Sequence, residues 1–140
     1  MKSAPSSRQH RIRGSLLGGA VGDALGAPVE FESRADIVRR FGSRGIRDFV
    51  PLDGVLGAIT DDTQMGIFCA EGFIRAYVRF CLKGICSPES VIHHAYMRWL
   101  KTQGEEPNRL TFDVGMDGWL IGLRQLWVRR APATNFVITR

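Results

Sequence analysis

A chain of 140 residues with 44% hydrophobic and 24% charged side chains can fold as one domain with a modest core, which excludes a disordered or fibrous polymer. A formal net charge of +5 and a pI near 9.6 favour encounter with phosphorylated ligands without dictating a fold. No apolar run is long enough for a membrane span, and the polar, basic start Met1–Arg13 lacks the apolar core of a signal peptide, so a cytoplasmic protein with no membrane partner is expected.

Residues 1–10 read as a disordered lead. From Arg11 the pattern turns helical: Ile12, Leu16 and Ala20 share a face, flanked by Leu17 and Val21. Gly14, Gly18, Gly22 and Gly26 form a second row at the same spacing. Each interior glycine costs a helix roughly 0.5–1 kcal/mol relative to alanine, so the row predicts close approach of another backbone or, at the Gly22 end, of a ligand. Gly22 to Pro28 is expected to break the helix and turn the chain. Ser33 with Asp36 three residues on forms a capping box, predicting a short helix over Arg34–Phe41 that ends at Gly42 and Gly45. Residues 43–59 read as a loop or short extended segment, and long connections of this kind are often functional.

The strongest helix signal covers 61–81. Met65, Phe68, Cys69, Gly72, Phe73, Ala76, Tyr77 and Phe80 recur at three and four, and Glu71 and Arg75 stand four apart as a helix-surface ion pair. Ser87 as cap and Pro88 at the first helical position open the next helix, with Ile92, Ala95, Tyr96, Trp99 and Leu100 on one face and an end near 102–104. A last helix is expected over 117–128, carrying Leu120, Leu123 and Trp127. No run of alternating strands is visible, so the fold class is all-α with about five helices in a single domain from residue 11 to 140. Cys69, Cys81 and Cys86 are odd in number, contain no C-x-x-C pair and read as reduced thiols.

Thr60-Asp61-Asp62-Thr63 gathers two carboxylates and two hydroxyls at a helix start. With 3.6 residues per turn the two Asp side chains diverge by roughly 100°, so each can reach a different ion or an ion and a water. Oxygen-only ligation suits Mg²⁺, Mn²⁺ or Ca²⁺ and disfavours zinc. The same residues also suffice as a cap and first turn without any metal. Glu30, just after Pro28, is a candidate general base. Asp23 sits between glycines, where it is expected to bond backbone amides rather than do chemistry. His93 and His94 are adjacent and lack an H-x-x-x-H partner, so no zinc site is expected; no G-x-S-x-G or G-x-x-x-x-G-K-[ST] string occurs. The basic residues are dispersed and nucleic acid is disfavoured as a partner.

Two blocks of sequence go further. Arg13-Gly14-Ser15-Leu16-Leu17-Gly18-Gly19-Ala20-Val21-Gly22-Asp23-Ala24-Leu25-Gly26-Ala27-Pro28-Val29-Glu30 resembles the opening helix and turn of the ADP-ribosylglycohydrolase family, which includes the enzyme that reactivates dinitrogenase reductase. Gly57-Ala58-Ile59-Thr60-Asp61-Asp62-Thr63-Gln64-Met65 resembles the family's first metal motif, in the right order and separation. Trp119-Leu120 and Arg129-Arg130-Ala131-Pro132 also look familiar. The resemblance implies an all-α orthogonal bundle and hydrolysis of the glycosidic bond between ADP-ribose and a modified protein side chain or small molecule. It implies two Mg²⁺ (or Mn²⁺) ions as cofactors, with Thr60, Asp61 and Asp62 as ligands and Glu30 and Asp62 in catalytic roles. It also implies ADP-ribose or an ADP-ribosylated protein as partner.

The family's second metal motif, a D-x-D-[ST] string near the C-terminus, has no counterpart here. After Asp62 the aspartates are Asp113 and Asp117. The resemblance is therefore to an N-terminal portion, as if truncated. The alternative expectation is lost hydrolysis, leaving a non-catalytic helical fragment or ADP-ribose-binding module that needs a partner, and self-association through apolar surface left uncovered is expected as well.

Overall fold

A computed structural model of the chain describes residues 7–105 and 117–130. The chain divides into two compact units, Met1–Thr63 and Gln64–Arg140. Among the described residues the secondary structure is all-α apart from a two-stranded hairpin of two residues a side.

The first unit opens with α1, Arg8–Gly26. It starts earlier than the pattern suggests because Ser7 caps it, its hydroxyl accepting the His10 N–H at 3.3 Å. Nor does the helix break at Gly22. It runs on to Gly26 and into a 3₁₀ turn, Ala27–Val29, whose first turn accommodates Pro28 where no amide donor is needed. The glycine row of α1 has no close neighbour among the described residues: a Cβ added at Gly14, Gly18, Gly22 or Gly26 would meet none of them within 4 Å. Ile12, Leu16, Leu17 and Val21 are exposed, and Ala24 is the buried residue of this helix.

Helix α2, Arg34–Phe41, has the bounds its capping residues dictate. The Ser33 hydroxyl accepts the Asp36 N–H at 3.2 Å and donates to the Asp36 carboxylate, while Gly42 ends the helix at φ 78°. Within the 43–59 connection β1, Pro51–Leu52, pairs antiparallel with β2, Val55–Leu56, Leu52 opposite Val55. Asp53 and Gly54 between them both have positive φ, 50° and 79°, as a two-residue I′-type hairpin turn requires.

Helix α3, Asp61–Lys83, passes from the first unit into the second; α4 is Pro88–Thr102, capped by the Ser87 hydroxyl, which accepts the Ser90 N–H. In the second unit Phe68, Trp99 and Leu126 form the core, with Met65, Ile67, Leu100 and Leu120 packed on it. The close backbone approach lies here rather than on α1: a Cβ on Gly72 would stand 3.0 Å from the Ile92 Cα and 3.2 Å from the Ala95 Cβ. A buried polar network joins the same elements. The Gln64 Oε1 accepts from the Trp99 indole at 3.2 Å and from the Gln103 amide at 3.0 Å, and the Gln64 amide donates to the Val128 carbonyl at 3.1 Å.

Glu71 does not pair with Arg75. It is 1% exposed, and its Oε2 accepts from Arg98 at 3.3 Å while its Oε1 accepts the Trp119 N–H at 2.8 Å. Arg75 instead donates to the Asp117 carboxylate at 2.6 Å. Burial explains the exchange: a carboxylate inside the fold needs a buried cation and amide donors, and a partner four residues along the same helix surface cannot follow it in. Gly118 lies against this pair, since a Cβ there would sit 2.7 Å from the Arg98 Nε and 2.9 Å from the Glu71 Oε1.

The helix expected over 117–128 is absent. Two 3₁₀ turns, Leu120–Gly122 and Arg124–Leu126, are separated by an extended Leu123 (φ −86°, ψ 104°). The residues buried are Ile121 and Leu126, while Leu123 and Trp127 are exposed. Asp113 and the 131–132 end of the familiar late stretch fall outside the described residues.

The contrast between glycines is measurable. Gly18→Ala in the open part of α1 is expected to raise stability by about 0.5–1 kcal/mol, since only helix propensity changes. Gly72→Val is expected to lower it by roughly 2 kcal/mol, because the Ile92 backbone cannot retreat. Urea denaturation of both variants checks the opposite signs.

Candidate functional site

The start of α3 is organised by one residue of α1. Asp23 lies 37 residues before Thr60, and its two carboxylate oxygens take four hydrogen bonds from the Thr60–Thr63 segment. Oδ2 accepts the Thr60 N–H at 2.8 Å, the Thr63 N–H at 3.3 Å and the Thr63 hydroxyl; Oδ1 accepts the Thr60 hydroxyl at 2.7 Å. The Thr60 hydroxyl in turn accepts the Asp62 N–H at 3.2 Å. Free amides at the head of a helix must find acceptors, and a carboxylate there also meets the positive end of the helix dipole. Asp23 thus caps α3 from a distance. That it bonds amides was legible from its place between glycines; that the amides belong to Thr60 and Thr63 was not, because nothing in local spacing signals a partner so far along the chain.

Burial pushes the Asp23 carboxyl pKa up, but the hydrogen bonds from Thr63 and Thr60 together outweigh it and hold the group below its ordinary value of 3.8. The arrangement leaves Asp61 and Asp62 unoccupied. Asp61 is half-buried, Asp62 is exposed, and neither carboxylate has a hydrogen bond or ion pair among the described residues. Glu30, at the end of the 3₁₀ turn, is exposed, and no hydrogen bond or ion pair joins it to Thr60, Asp61 or Asp62.

These contacts correct the expected Mg²⁺ or Mn²⁺ pair. Among the described residues no three His, Cys, Asp or Glu side chains come together as a metal site requires. The physical reason is visible in the bonds. The Thr60 hydroxyl is engaged on both sides, by the Asp23 carboxylate and the Asp62 amide. Both Asp23 oxygens are already taken, and adjacent helical positions splay Asp61 and Asp62 apart. Thr60, Asp61 and Asp62 would thus leave two hard cations with shells made mostly of water, and such a site binds weakly.

A carboxylate whose pKa is depressed by folding stabilises the fold above its unfolded pKa, and that contribution is lost as pH falls through the lower, folded value. Asp23→Ala, which strips several charge-assisted bonds from a helix start, is expected to cost about 2 kcal/mol at neutral pH. The cost should shrink as the pH is taken below 3.8, where the native carboxylate itself takes up a proton. Urea midpoints of the native and D23A chains between neutral and acid pH measure both effects.

The comparisons with known proteins agree with the sequence blocks that frame this site. The ADP-ribosylglycohydrolase family profile matches residues 4–135. An uncharacterized protein of Archaeoglobus fulgidus is 41% identical over 70 residues, covering 48% of this chain and 22% of the relative. The ADP-ribosyl-[dinitrogen reductase] glycohydrolase of Rhodospirillum rubrum is 44% identical over 61 residues, 41% of this chain and 20% of that enzyme. The ADP-ribosylarginine hydrolase Tri1 of Pseudomonas putida (strain GB-1) is 28% identical over 129 residues, 83% of this chain and 30% of that protein. The matched region thus spans between a fifth and a third of each relative's length. No solved structure matches significantly. Among the described residues no helix is long and apolar enough to cross a membrane. With nearly the whole sequence inside the family profile, the chain belongs to the ADP-ribosylglycohydrolase family.

Proposed function

We propose that this chain binds an ADP-ribosyl group and does not by itself hydrolyse the glycosidic bond, so that turnover requires a partner to complete the site. The observation that carries this reading is the pair of carboxylates, Asp61 and Asp62, left without partners among the described residues at the head of α3 while Asp23 does the capping. In this reading they accept hydrogen bonds from ribose hydroxyls, and Thr60 sets their position through its own bonds to Asp23 and the Asp62 amide. Glu30 and Asp62 stand nearest the anomeric carbon as acceptors for a water. The net charge of +5 assists capture of the diphosphate. Family membership supports the ligand class, as do two relatives whose names specify ADP-ribosyl substrates.

Hydrolysis asks for more than acceptors. Departure of the leaving group builds positive charge at the ribose, and a water must be activated on the opposite face. The described residues offer an exposed Glu30, whose carboxylate no hydrogen bond among them holds in place, and two splayed aspartates. Such a set favours recognition over catalysis, because rate acceleration needs groups fixed against the reacting atoms.

Calorimetric titration of the chain with ADP-ribose in the presence of EDTA checks the binding half. Binding is expected, and D61A/D62A is expected to weaken it about tenfold or more, the loss of one charge-assisted hydrogen bond or better. An unchanged affinity in that double variant would defeat the assignment. Incubation with an arginine-ADP-ribosylated peptide is expected to release no ADP-ribose; release would show that the chain is catalytic on its own.

A further inference from the structure

The second unit contains a groove between α3 and α4 that the ADP-ribosyl reading does not use. Its volume is about 560 Å³. Ile74, Val78 and Leu82 line it at every fourth position of α3, and Val91 of α4 adds to the same apolar floor. This floor is open to solvent: Ile74 is 53%, Val78 48% and Leu82 76% exposed. One residue further on, Arg75, Arg79 and Lys83 run at the same spacing and line the same groove, with Arg98 across it on α4. Arg75 is held by Asp117 and Arg98 by Glu71, whereas Arg79 and Lys83 make no ion pair among the described residues. Among the described residues of the lining, Asp117 is the one that is acidic. His94 also lines it, its proton disfavoured by burial, by His93 and by Arg98.

The spacing selects the occupant. At a rise of 1.5 Å per residue the cations of α3 are strung out at intervals of about 6 Å beside an apolar stripe of equal length. A small anion is gripped by donors that converge on one point; these do not converge. Their complement is a second helix with an apolar stripe and carboxylates about one turn apart along its edge. Among the described residues a second copy of this chain supplies no such helix. None of α1–α4 carries two acidic residues four apart, and two chains of net charge +5 repel.

We propose that this groove receives an acidic amphipathic helix of a partner protein, whose apolar stripe covers Ile74, Val78 and Leu82 and whose carboxylates meet Arg79 and Lys83. This surface shares no residue with the ADP-ribosyl site proposed above.

Fluorescence anisotropy with two labelled synthetic peptides tests it on the full chain. One is an amphipathic helix with leucine on one face and glutamate along its edges; the other has lysine in place of each glutamate. The acidic peptide is expected to bind and to weaken with rising salt, and the basic one is not. The double reversal Arg79→Glu and Lys83→Glu should weaken the acidic peptide at least about tenfold and admit the basic one. Val78→Glu, a substitution in the floor, should weaken the acidic peptide as well. All three positions are exposed, so circular dichroism is expected to show an unchanged fold. Equal binding of both peptides, no binding of either, or indifference to the charge reversal would overturn the proposal. So would full competition by inorganic pyrophosphate, which would give the cations to a small anion. A concentration-dependent dimer abolished by Val78→Glu would give the floor to a second copy and overturn it too.

Discussion

The charge-assisted grip of Asp23 on the Thr60–Thr63 turn is the constraint on which the first unit rests. That unit has little apolar interior: Ala24 and Ala58 are its buried hydrophobic residues among those described. Where burial of carbon is scarce, a carboxylate that satisfies two peptide amides and two hydroxyls at once supplies both energy and geometry. It also fixes where a helix begins. Asp61 and Asp62 stand at the first turn of α3 because Thr60 and Thr63 are held from α1. The site is thus an outcome of helix capping, and its two free carboxylates are what capping leaves over.

The second unit is organised on another principle. Its interior combines Phe68, Trp99 and Leu126 with Gln64, Glu71, Arg98 and Gln103, all nearly inaccessible. Polar groups so deep must be matched nearly one for one, and most are: the Gln64 amide serves three partners, and Glu71 takes a guanidinium and two backbone amides. Such matching makes packing specific. It fixes the register of the 117–130 segment on α3 and α4 through the amides of Trp119 and Leu120 and the carbonyl of Val128. The outward half of α3 has no such partner among the described residues, and Phe73, Tyr77 and Phe80 are exposed.

What could be read in advance followed the range of each signal. Ser33 with Asp36 and Ser87 with Pro88 act within one turn, and α2 and α4 start where those residues say. Asp53-Gly54 is an equally local hairpin signal, but with two residues in each flanking strand the 43–59 connection reads only as a loop or short extended segment. The α1 glycines misled because such a row records the capacity for close packing, not its presence. Glu71 misled because helix-surface pairing rules rank only neighbours, whereas its partner lies 27 residues on and inside the core. The acidic pair at 61–62 was visible at once. That Asp23 and the Thr60 hydroxyl would be spent on each other, leaving no ligand set among the described residues, depends on a contact across 37 residues that no spacing encodes.

Gly118 has no positive φ to demand glycine. What forbids a side chain there is the Glu71–Arg98 pair, whose atoms occupy the volume a methyl group would need. Three positions scattered over the sequence are therefore one steric unit. In the history of this fold, a lineage that abandoned the ion pair for apolar side chains would be free to place alanine at 118, and one that kept it would not; position 118 should drift only in the company of 71 and 98.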